Sequence, residues 1–191
     1  DEELELCPPL LLLGSDDMLA GRGLAQLIWL LNSGLPVKVL LMSALDFGLV
    51  GAPTNNPRAG TGLLALAQRN AYVAQTSIAD ATHFGNSVLE ALSFRGPALI
   101  QVYAPSPARD GFATREVLEQ ARVAVAARVL PLFRYDPRAG GVFGTRISLE
   151  GNPEDTDDMP TPIDWASGQG RFASLLDSTA LAEVAERCAD N

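Results

Sequence analysis

Apolar residues fall along this chain in short continuous runs bounded by Gly, Pro or Asn, with amphipathic stretches between them. Leu10 to Leu13 follows Pro8-Pro9 and is closed by Gly14, which predicts a strand buried on both faces. Val37 to Met42, Tyr72 to Ser77 and Ala98 to Tyr103 predict three more strands. Met18 to Asn32 reads as a helix, with Asp16 or Asp17 as its cap and Gly34 as its stop. Its apolar residues, Leu24, Leu27, Ile28, Leu30 and Leu31, lie on several sides and predict burial all round, while Trp29 reads as packing on one face. Thr61 to Arg69, Ala81 to Ser93 and Arg115 to Arg128 predict further helices, and the stretch from Ser43 to Gly60 reads as loop. This alternation predicts an α/β fold, a doubly wound and mostly parallel sheet with helices on both faces.

The pattern changes after Val129. Leu132 to Tyr135 and Val142 to Leu149 read as short strands, Glu150 to Asp158 as a solvated acidic loop, and Thr179 to Ala189 as a last helix. Residues 1–130 are therefore expected to form the core and 131–191 a smaller, irregular C-terminal extension. Arg134 and Asp136 suggest a structural ion pair, and Trp165 a packing residue.

Composition narrows the function classes. With 191 residues, 47% hydrophobic and 19% charged, the chain is long and apolar enough for one sizeable core. A net charge of -9 without a basic stripe argues against nucleic acid as a partner. The apolar run around Leu24 to Leu31 is short of the ~20 residues of a membrane span, and Asp1 to Glu5 are acidic, unlike a secretory leader. Cys7 and Cys188 form neither a metal motif nor a disulfide framework, so a reducing, cytoplasmic setting is expected. His83, the single histidine, reads as a surface or capping residue with no triad partners nearby.

Five segments, in order, resemble the last domain of the pyruvate:ferredoxin (flavodoxin) oxidoreductases, a family of 2-oxoacid:ferredoxin oxidoreductases. They are Leu27 to Leu40, Tyr72 to Ile78, Arg95 to Pro105, Leu130 to Pro137 and Arg171 to Leu175. The resemblance implies the C-terminal part of a thiamine-diphosphate-binding fold. In that family the first strand ends in Gly-Asp-Gly, whose Asp binds a divalent metal and whose glycines let amides approach the diphosphate. The matching positions are Ser15, Asp16 and Asp17, after Gly14. Asp16 keeps the metal-binding carboxylate. Asp17 replaces a glycine with an acid, and a carboxylate near a diphosphate costs about 4 kcal/mol per like-charge contact at about 4 Å and an effective dielectric near 20. The next metal and diphosphate loop matches Ser43-Ala44 and Leu49-Val50-Gly51-Ala52. Gly51 could still face a diphosphate, but Ala44 and Leu49 carry no oxygen ligand for a hard cation. Asn55-Asn56 reads as ordinary loop. The family's cluster-binding cysteine matches Ser106, a poor substitute for a thiolate.

The resemblance therefore implies a degenerate module, with no cofactor expected and no iron–sulfur cluster in this chain. Its role would be structural or assembly-related, with other domains or subunits, or a second copy, as partners. Two alternatives stand beside it. One is a functional thiamine diphosphate and Mg²⁺ site on Asp16, active on 2-oxoacids only together with other domains. The other is a non-enzymatic small-ligand-binding module of flavodoxin-like shape.

Overall fold

In a computed structural model of the chain, residues 8–19, 22–44, 60–154, 156, 158–173 and 176 are described. Four parallel strands carry the sheet: β1 (Leu10–Ser15), β2 (Val37–Ser43), β3 (Tyr72–Ser77) and β4 (Ala98–Tyr103). They lie in the order β1-β2-β4-β3. Helices α1 (Arg22–Leu31), α2 (Thr61–Leu66) and α3 (Ala81–Ser93) connect them in turn.

This order explains where the helices go. The steps from β1 to β2 and from β2 to β3 run one way across the sheet, and the step from β3 to β4 runs back. Right-handed crossovers then put α1 and α2 on one face and α3 on the other. The core divides accordingly. Leu27 and Leu31 of α1 and Ala65 of α2 pack on Val37, Val39, Leu41, Val73 and Leu99. Ala91 of α3 packs on the opposite face, against Tyr72, Ala74, Ala98, Ile100 and Val102. Every residue of β3 and β4 is buried, as central parallel strands require.

Helix α3 has the bounds its pattern predicts, because its start is locally specified: the Asp80 carboxylate accepts the His83 N–H at 2.8 Å. Beyond β4 come a short helix α4 (Pro107–Asp110), a 3-10 turn at Thr114–Glu116 and α5 (Val117–Ala126). Strands β5 (Phe133–Tyr135) and β6 (Ile147–Ser148) then add antiparallel to the β3 edge. Helix α6 (Pro162–Ser167) brings Trp165 beside Phe172, ring centroids 5.4 Å apart, in a cluster with Ala121, Ala124, Leu132 and Tyr103.

Several expectations are corrected. β1 is not buried on both faces: among the described strands it lies at the sheet's edge, and Leu10 to Leu13 are 41–68% exposed. The Met18–Asn32 helix is a 3-10 turn at Asp16–Leu19 followed by the shorter α1. Within α1 only Leu27 and Leu31 are buried, and Trp29 is 68% exposed, so the helix presents one face to the core. Residues Phe143–Arg146 form a 3-10 turn, leaving only Ile147–Ser148 as strand. His83 is buried, 4% exposed. Arg134 and Asp136 do not pair with each other: Arg134 bridges Glu90 (2.7 Å) and Glu150 (2.5 Å), and Asp136 pairs with Arg138 at 2.7 Å. The Thr179–Ala189 helix, Cys7 and Cys188 lie outside the described residues.

Candidate functional site

Parallel sheets bind ligands beyond the carboxyl ends of their strands, where loops departing to opposite faces leave a crevice. Here the loop after β2 leads to α2 on one face and the loop after β3 leads to α3 on the other, with β4 between them. The strand ends are level: Ser15 pairs with Met42, and Ser43 with Tyr103.

At this edge the sequence-derived residues Gly14, Ser15 and Asp16 follow one another out of β1 into the 3-10 turn, which also contains Asp17. The Ser43 hydroxyl, at the end of β2, donates to the Asp16 carboxylate at 2.8 Å. Asp16 thus ties two strand ends together. A Cβ at Gly14 would lie 3.2 Å from the sulfur of the exposed Met18. Gly51, Leu49, Asn55 and Asn56 lie outside the described residues.

The residue after Ser43 meets a group to which the sequence assigns no role. Arg109, on α4 beyond β4, donates through Nη2 to the Ala44 carbonyl at 2.7 Å. Its Nε donates to Asp110 at 2.8 Å. Asp110 is fully buried; it also accepts the Ser106 N–H at 2.9 Å and lies 3.2 Å from Arg171. Arg171 is itself held by Gln169 Oε1 at 2.7 Å and sits over the Phe172 ring at 4.6 Å. One buried carboxylate therefore orients two guanidinium groups, and the outer one reaches across to β2. Burial pushes the neighbouring Tyr103 phenol up to about 12, so it stays neutral here. The only sequence sign of this arrangement is an Arg-Asp pair shortly after a buried strand.

A hard divalent cation needs several oxygen ligands. The strand ends supply Asp16, already engaged by Ser43, and the Ala44 carbonyl, already engaged by a guanidinium. Among the described residues no group of three or more acidic, His or Cys side chains comes together.

A second, open depression of about 460 Å³ lies beyond β3, lined by Asp80, Thr82, Arg122, Val125, Gly151 and Pro153 among others. His83 lies close behind Gly151. Its Nδ1 is 2.9 Å from the Thr76 hydroxyl, and its Nε2 has no partner among the described residues. Burial, then the charge of Arg134, lowers its pKa, while Asp80, Glu150 and Glu90 oppose that shift.

The class so far is an open, mostly parallel α/β domain with a polar cluster at its strand ends. The chain is similar to pyruvate:flavodoxin and other 2-oxoacid oxidoreductases. It is 27% identical over 186 residues to a pyruvate-flavodoxin oxidoreductase of Rhodospirillum rubrum, matching 87% of this chain and 15% of that protein. It is 36% identical over 110 residues to a ketoisovalerate oxidoreductase subunit VorB of Pyrococcus furiosus, 57% of this chain and 32% of the subunit. With a pyruvate synthase subunit PorB of the same organism it shares 28% identity over 133 residues, 64% of this chain and 39% of the subunit. No family model matches the chain. It spans well under half the length of each of these relatives. Among the described residues no helix is long and apolar enough to cross a membrane.

Proposed function

We propose that this chain is a degenerate thiamine-diphosphate-fold module with a structural or assembly role in a 2-oxoacid oxidoreductase-like protein. The observation that carries this reading is the Ala44 carbonyl held by Arg109 beside an Asp16 already engaged by Ser43. In the resembled family this edge grips a metal-bound diphosphate. Here Asp16 Oδ2 and the Ala44 carbonyl accept hydrogen bonds from the protein's own side chains. Names such as VorB and PorB subunit support a module that works with partner chains. The competing reading, a working half-site, is favoured by the carboxylate that Asp16 retains.

Titration calorimetry with thiamine diphosphate and Mg²⁺ tests the proposal. No saturable heat is expected, and a micromolar dissociation constant would refute it. Ser106 stands where the family has a cluster thiolate, so anaerobic iron–sulfide reconstitution is expected to leave the chain colourless. A stable brown chromophore would contradict that.

A further inference from the structure

We infer that Arg109 is a built-in cation at the strand ends, occupying the electrostatic role of a divalent metal and excluding one. The inference rests on the degenerate-site reading and adds a cause to it. Three observations support it. The guanidinium is in place, joined to the end of β2 through the Ala44 carbonyl and to α4 through Asp110. It is held from behind: Asp110 is fully buried, takes the Ser106 amide and pairs with Arg171, which is itself fixed by Gln169. Swinging Arg109 away would strip Asp110 of one of its two cations. The carbonyl it holds belongs to Ala44, the residue after Ser43, whose hydroxyl holds Asp16. Two consecutive residues at the end of β2 thus tie Asp16 on one side and a fixed positive charge on the other. Arginine suits this place because it stays protonated and offers several donors in a fixed fork, here spent on a carboxylate and a carbonyl.

Arg109 links the loops after β2 and β4 as a shared metal would, but the link is covalent to the chain and cannot be chelated away. The strand-end geometry is then independent of divalent metal.

The test measures Mn²⁺ binding by electron paramagnetic resonance on the full chain, in wild type and variants. Wild type is expected to bind Mn²⁺ no more tightly than Asp16→Asn does. Arg109→Met removes the charge but keeps the stem, and its dissociation constant is expected to fall at least tenfold. The double variant Arg109→Met with Asp16→Asn is expected to return to the wild-type value. Arg109→Lys retains the charge and is expected to behave as wild type. A wild type that loses Mn²⁺ affinity on Asp16→Asn overturns the inference, and that comparison stands even if Arg109→Met does not fold. A lysine variant that binds Mn²⁺ as Arg109→Met does also overturns it. Calorimetry with thiamine diphosphate in EDTA separates the two claims. Micromolar binding there would refute the degenerate-site reading while leaving the built-in cation standing. Mn²⁺ binding at Asp16 without cofactor binding would do the reverse.

Discussion

Lys38 lies on β2 with its ammonium group between the carbonyls of Phe94 and Gly96, the latter at 2.7 Å, and faces the Phe94 ring. Burial, and secondarily the charge of Arg138, lowers its pKa to about 8. In the unfolded chain a lysine holds its proton to about 10.4. Between those values the unfolded state binds the extra proton, so this group makes stability rise with pH. Lys38→Met is expected to flatten that rise between pH 8 and 9.5 and to cost about 1–3 kcal/mol by leaving two carbonyls without their donor. Urea unfolding across that range measures both. His83 acts with the same sign at acid pH. Its folded pKa lies below the ordinary value, so its contribution is complete above about pH 6.5 and is lost as pH falls through that value. The groups facing it are Thr76, Asp80, Glu90, Arg134 and Glu150. Unfolding curves are expected to show declining stability from pH 7 to 5, and His83→Gln to flatten the decline. An unchanged slope would remove His83 as the cause.

At the scale of elements, α2 shows tertiary contact overruling local propensity. Gly62 sits in its first turn and donates its N–H to the buried Gln101 side chain at 2.7 Å. Alanine is the better helix former by about 1 kcal/mol, so the helix alone would favour the change. A Cβ on Gly62 would lie 2.8 Å from Gln101 Oε1 and 3.0 Å from Gln75 Oε1. Gln75 is tied to the Pro131 carbonyl at 2.7 Å, which limits how far it can retreat. Gly62→Ala is therefore expected to destabilise by about 1–3 kcal/mol in urea denaturation, the range for an overpacked core. A stabilised variant would show that the two glutamines can move aside.

At the scale of the whole molecule, the edge strand β1 stands out. It carries four consecutive leucines between 41% and 68% exposed, with Met18 and Trp29 also exposed. Burying one such side chain is worth roughly 1.5–3 kcal/mol, so leaving several in water favours association. An edge strand also offers unpaired backbone groups, and β1 carries none of the charges or prolines that blunt an edge. The isolated chain is expected to self-associate through β1. Leu11→Lys with Leu13→Lys should shift it toward monomer, read by size-exclusion chromatography with light scattering. A wild-type monomer at tens of micromolar would count against this.

The positions of β2, β3, β4 and α3 were legible in the residue order, because periodicity and breakers such as Gly96-Pro97 act over a few neighbours. The family resemblance was legible for the same reason, carried by short ordered segments. What the tertiary structure decided is where each run sits. Leu10 to Leu13 reads as apolar as β4, yet one is an edge and the other is central, because strand order is set by crossovers and not by composition. His83 is polar by type and buried by place. Arg109 lies 65 residues from Ala44, and no local pattern links them. Sequence determined which strands and helices form, while the order of the strands determined which residues meet at their ends.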